Sequence, residues 1–140
     1  MMRKLVPVDG SEQACRAAAW ADKMAKQTGD GVMLLHVFDL NAAEAMALAN
    51  LNREEIAERI AAHAAPSFEK ARAAMTAGAE CETQAVIGSP ADEIIRIAAA
   101  DGIDHIVMGS RGLSGLRELM LGSVSEKVLH RAPCAVTIIR

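Results

Sequence analysis

The sequence predicts an α/β fold: an open, mainly parallel five-stranded sheet with helices on both faces. Three observations carry this reading. Short apolar runs alternate with helical patterns along all 140 residues, as in repeated βαβ units. The runs at 31–38 (GVMLLHVF) and 104–108 (DHIVM) are nearly unbroken, as strands buried on both faces of a parallel sheet are. Directly after the second run comes a glycine-rich stretch, Gly109 to Ser125 (GSRGLSGLRELMLGSVS), that ends by opening a helix. A loop of that kind feeding a helix start is a ready anion site.

Taken in order, Leu5 to Val8 is a short apolar run closed by Asp9-Gly10-Ser11, which reads as a strand, a turn and a helix cap at Ser11. Pro7 counts against the strand, because proline cannot donate to a ladder and keeps to edges and ends. Ala14 to Thr28 is helical and alanine-rich, stopped by Gly29, and Ala14, Ala18, Ala21 and Ala25 form a small-residue stripe suited to packing on a sheet. Trp20 and Met24, one turn apart, read as helix packing. Within the strand Gly31 to Phe38, His36 reads as a core histidine with its hydrogen bonds satisfied, since no carboxylate or cysteine pattern beside it suggests a metal or a catalytic pair.

Asp39 to Asn52 shows no clear period and reads as a flap. From Arg53 to Ala77 the period is helical, with Ile56, Ile60, Ala64, Phe68, Ala71 and Met75 on one stripe. Pro66 lies inside it and predicts a kink or break near Ala65, since an interior proline costs about 3 kcal/mol or more. Glu80 to Gly88 is a third strand. Ser89-Pro90-Ala91-Asp92 then supplies a cap, a proline at the first helical position and an acid in the first turn, and Ala91, Ile94, Ile95 and Ala98 form the buried stripe. Gly102 stops that helix before the central strand. After a helix beginning at Ser123, His130 and Arg131 complement its C-terminal dipole, Pro133 bars continuation, and Cys134 to Ile139 forms a fifth strand.

Composition narrows the function. A chain of 140 residues suits one domain, 1–140, long enough to bury roughly 68 to 70% of its unfolded surface. Aromatics are only 2%, with no Tyr, which argues against an aromatic platform for stacking nucleic-acid bases, and a net charge of −3 lacks the basic footprint of a nucleic-acid binder. Cys15, Cys81 and Cys134 form no C-x-x-C pair and no signal peptide precedes the first strand, which predicts a reducing cytoplasm. No apolar run reaches the ~18 to 20 residues that span a bilayer.

In the glycine stretch, Gly109, Gly112 and Gly115 let the backbone turn and bring its N–H groups near a ligand. Ser123 and Glu126 form the S-x-x-E pattern of a capping box. Neither G-x-x-x-x-G-K-[ST] nor G-x-G-x-x-G is present. On the residues alone two readings stand: an anion site, or a strand end, two turns and an ordinary cap.

The spacing of Gly109, two residues, Gly112, nine residues, then Gly122-Ser123 resembles the nucleotide motif of the universal stress proteins. The resemblance extends over KLVPVDGS (4–11), LLHV (34–37), VIGSPADEII (86–95) and 104–140. Keeping all the glycines, the chain is similar to that family's ATP-binding branch. The resemblance implies strand order 3-2-1-4-5, a Rossmann-like, adenine nucleotide alpha hydrolase-like sheet. Asp9 and the Gly109 loop would face each other across the crevice where the strand order reverses. It further implies that Gly109, Ser110, Arg111, Gly112, Gly122, Ser123, Val124 and Ser125 hold phosphates through N–H and hydroxyl groups. Asp9, in the motif begun by Pro7, would hold the ribose, and Val8, Val37 and Met108 would contact the adenosine. ATP is the implied cofactor, with any Mg2+ held through the phosphates. A homodimer through Ala135 to Ile139, a role in stress response and an unidentified protein partner are implied likewise. Local charge agrees: residues 109–131 carry four basic and two acidic side chains in an otherwise acidic chain. Two other readings are a weak ATP hydrolase and a dimeric interaction module in which nucleotide is structural. The sequence sets no histidine or carboxylate beside the loop to orient water, which favours a regulatory module over a dedicated enzyme.

Overall fold

The structure, a computed structural model, describes residues 1–111 and 120–140. Five parallel strands, β1 (Arg3–Pro7), β2 (Gly31–Phe38), β3 (Glu80–Ile87), β4 (His105–Gly109) and β5 (Ala135–Ile139), form one sheet in the order β3-β2-β1-β4-β5. Among the described residues there are five helices: α1 (Glu12–Thr28), α2 (Ala42–Ala49), α3 (Arg53–Ala74), α4 (Pro90–Ala100) and α5 (Ser123–Arg131). None is long and apolar enough to cross a membrane.

Alternation along the central strands builds two cores. Leu5, Met33, Leu35, Ile106 and Met108 point to one face, where α4 and α5 cover them with Ala91, Ile94, Ile97, Ala98 and Val128. Val6, Val8, Val32, Leu34 and Val107 point to the other, beneath the alanine stripe of α1 and Ala71 of α3. That stripe, extended by Ala17, is buried throughout, as its spacing predicts. On α4 it is Ile97 rather than Ile95 that joins Ala91, Ile94 and Ala98 in the buried set.

β1 stands at the centre of the sheet despite Pro7. The proline is its last residue, and the next N–H, that of Val8, already donates to the Leu35 carbonyl at 2.8 Å. α1 begins as expected, with Ser11 Oγ accepting from the Ala14 N–H at 3.2 Å. It ends at Gly29 with φ 77°, a left-handed cap that favours glycine.

Two expectations fail. The stretch read as a flap contains α2, opened by a capping box in which Asn41 and Glu44 exchange bonds of 2.8 and 2.9 Å. Its sequence, AAEAMALA, is apolar at nearly every position and so shows no period, yet only Leu48 is buried. Of the kink or break expected near Ala65, the break is absent, since α3 runs through Pro66 to Ala74. The proline and Ala62, whose carbonyl it leaves without a helical partner, are both on the exposed side, where water can take up the bond.

Two buried carboxylates tie the scaffold together. Lys4 Nζ meets Asp30 Oδ2 at 2.6 Å, and the Met2 N–H donates to Asp30 Oδ1 at 2.8 Å. The hydrogen bond from Lys4, followed by those from Thr28 and Met2, holds the Asp30 carboxyl far below the usual range. On α1, Asp22 is fully buried and accepts from the N–H groups of Ala77 and Ala79 at 2.6 and 2.8 Å, clamping the turn that leads into β3.

Candidate functional site

At the C-terminal ends of β1 and β4 the neighbouring connections leave for opposite faces of the sheet, and the crevice between them is where open α/β sheets bind ligands. A cavity of about 150 Å³ lies there. Its walls include Pro7, Val8 and Asp9 from the end of β1, Val37 from β2, Met108, Gly109 and Arg111 from the end of β4, and Val124 and Ser125 from α5. The same cavity touches residues that sequence reasoning gave other work: Ser11, Ala14, Leu35, Pro90 and Ile94. A period-two signal was present for Leu35, which shares a strand face with Val37. Ile94 and Pro90 were legible only as helix core and helix start.

Among the described residues three helices begin on this crevice: α1 at Ser11 and Ala14, α4 at Pro90 and α5 at Val124 and Ser125. Each presents the positive end of its dipole there. Most of the lining is apolar, including Val8, Leu35, Val37, Ile94 and Met108, while Asp9, Ser11, Arg111 and Ser125 add polar groups to it. An apolar slot beside helix N-termini suits a flat, weakly polar group carrying an anion. Arg111 is the one cationic side chain among the described residues that line it. No group of three or more His, Cys, Asp or Glu residues that could hold a metal stands together among the described residues.

The second half of the glycine motif docks against the end of β4. Gly122 N–H donates to the Ser110 carbonyl at 2.7 Å, Ser110 N–H donates to Ile139 at 2.8 Å, and Ser125 Oγ donates to the Gly109 carbonyl at 2.8 Å. Ser110 and Gly122 are buried behind the crevice and Ser123 is exposed, so these three do not line the cavity. Gly112, with Gly115, lies outside the described residues. The capping box expected of Ser123 and Glu126 does not form. Gly122, held extended by its bond to Ser110, is the N-cap, and Ser123 is already the first helical residue. Ser89 occupies its expected cap position without a side-chain bond.

A family model, the universal stress protein family, matches residues 1–140. The chain belongs to that family. Universal stress protein YxiE of Bacillus subtilis is 34% identical over 145 residues, covering 99% of this chain and 98% of the relative. Universal stress protein MJ0577 of Methanocaldococcus jannaschii is 29% identical over 150 residues, and its solved structure superposes with a TM-score of 0.79, covering 99% of this chain and 94% of that one. A universal stress protein crystallised in complex with cAMP is 26% identical, with a TM-score of 0.69 over 99% of this chain and 97% of that one.

Within this universal stress protein, two features of the site give sequence signals a different physical cause. A Cβ on Gly109 would lie 2.6 Å from the Gln13 Cβ and 3.0 Å from its carbonyl carbon, so the glycine lets α1 close onto β4. It has a packing reason independent of any ligand. Asp9 Oδ1 accepts from the Ser11 N–H at 2.9 Å, the local turn that aspartate commonly makes, at the mouth of the cavity.

His36 is the satisfied core histidine expected. Its Nδ1 lies 3.0 Å from the Val8 carbonyl and its Nε2 2.8 Å from His63 Nδ1, while the His63 ring stacks on Phe38 at 3.6 Å. Since a carbonyl only accepts, the Nδ1 proton belongs to His36, whose Nε2 then accepts from His63. Burial lowers the His36 pKa from its ordinary value, with the Val8 carbonyl partly opposing. Both backbone groups of Val8 are engaged inside the protein, so what this residue turns to the cavity is its apolar surface.

Proposed function

We propose that this protein binds an adenine nucleotide in the β1–β4 crevice and serves as a nucleotide-dependent regulatory module in a stress response. The observation that carries the proposal is the cavity itself, where an apolar slot meets three helix starts and the Arg111 side chain. The base would lie among Val8, Leu35, Val37, Ile94 and Met108, the ribose near Asp9, and the phosphates along Gly109, Arg111, Val124 and Ser125. Gly112, Ser110, Gly122 and Ser123 complete the set proposed from the motif. The relative crystallised with cAMP supports an adenine nucleotide as the class of ligand. ATP is the proposed member of that class, any Mg2+ being carried by its phosphates. Bound phosphates would add negative charge at the helix starts, and hydrogen bonds to such groups are worth about 1.5–3 kcal/mol each.

A regulatory role is favoured over turnover because, among the described residues lining the cavity, Asp9 is the one acid, here assigned to the ribose, and there is no histidine to orient water. Denaturing the purified protein and identifying what it releases by chromatography and mass spectrometry tests the reading. Released ATP is expected. An empty site that also fails to take up added ATP in a titration would overturn it, and steady hydrolysis well above background would favour the hydrolase.

We propose a homodimer through β5. Among the described residues this strand is at one edge of the sheet, pairing with β4 alone, and Leu129 of α5 is exposed. An uncovered strand edge is a template for another chain. Light scattering is expected to give a dimer mass; a wild-type monomer at micromolar concentration sinks this assignment.

A further inference from the structure

We infer that Gln13 is a positioning residue that orders the Arg111 guanidinium at the cavity for a ligand phosphate; the inference rests on the nucleotide reading above. Gln13 is the second residue of α1 and is buried, and a buried amide needs partners. Its orientation follows from those partners: with the amide oxygen toward Arg111 it accepts from Nε at 3.0 Å and from Nη2 at 3.1 Å. One acceptor thus grips one edge of the guanidinium. Because the group is planar and carries its five donors in a fixed fork, holding Nε and Nη2 sets the plane of all of them.

The placement of Gln13 is itself fixed. Its Cβ lies where a side chain on Gly109 would have to go, so α1 seats the glutamine directly behind the end of β4. Arg111 follows two residues after that glycine and lines the cavity. An arginine at a loop end is normally a flexible cation whose rotamers must be frozen when it meets an anion. Here Gln13 contributes to that ordering beforehand, through a neutral acceptor that itself cancels none of the positive charge. A carboxylate in the same place would hold the arginine equally well but cancel the charge that a phosphate needs.

The test uses the full chain freed of bound ligand, with titrations of ATP and of adenosine. Gln13→Met keeps the length and the Cβ contact with Gly109 but removes the acceptor. The ratio of ATP to adenosine affinity should fall about two- to ten-fold, the range produced by ordering one rotamer-rich side chain on binding. In an Arg111→Met background the same change should cause no further fall, because residues acting through one another are not additive. An unaltered ratio in Gln13→Met, or an effect that adds in full to that of Arg111→Met, would mean the glutamine only fills space. Wild-type protein that binds neither ligand overturns the nucleotide reading, and this inference with it.

Discussion

Replacing Gly109 with alanine is expected to destabilise the unliganded protein by about 1–3 kcal/mol and to weaken nucleotide binding by about ten-fold or more. The new methyl group would lie 2.6 Å from the Gln13 Cβ, 3.0 Å from the Gln13 carbonyl carbon and 3.2 Å from the Ala14 nitrogen. Two of these atoms belong to the backbone of α1 and cannot swing away. Carbon atoms rest about 3.5–4.0 Å apart, so the helix start must retreat by roughly an ångström. Ser11 and Ala14, which line the cavity, and Gln13, which holds Arg111, retreat with it. Thermal unfolding without ligand and a titration with ATP read the two effects separately. If the glycine served ligand approach alone, the unliganded melting temperature would not change, and the packing account would be wrong.

Asp22→Ala should cost about 3–5 kcal/mol, a large part of the 5–15 kcal/mol by which domains are typically stable. The carboxylate is fully buried and accepts from Ala77 and Ala79, across 55 and 57 residues of sequence. Its removal leaves two N–H groups without partners in a part-buried turn and opens a gap beside α1. Asp22→Asn should recover only part of the loss, because its amide offers one acceptor and turns a donor toward the second N–H. Urea unfolding measures this; an alanine variant within about 0.5 kcal/mol of the parent would show that water serves the turn as well as the carboxylate.

Much of this fold was legible because the relevant signals are local. Ser11 and Gly29 bound α1 as their chemistry dictates, and the unbroken run of β2 marks a strand covered on both faces. The readings that failed depended on what surrounds a residue. The α2 segment has no amphipathic period to detect, although its box of Asn41 and Glu44, like that of Asn52 and Glu55 opening α3, was written in the sequence. Around Pro66 the chain stays helical with the orphaned Ala62 carbonyl exposed to water, and exposure is not a local property. At the site, Pro7, Val8, Asp9 and Val37 line one cavity with Met108, Gly109 and Arg111, a grouping implied by the family resemblance rather than by any local pattern. Gln13 was invisible, because nothing in its neighbourhood of the chain reveals which arginine it will face.

The strand order has a consequence for the order of assembly. β1 begins the chain but lies between β2 and β4, and the bond from Arg3 N–H to the Asp104 carboxylate spans 101 residues. The β1–β2–β3 ladder can form from the first part of the chain, whereas the β1–β4 seam must close a far longer loop, a slow kind of event in folding. The crevice therefore comes into being only when the two portions of the sheet join. A ligand that binds there recognises the joined state alone, and by mass action it stabilises the seam rather than either portion.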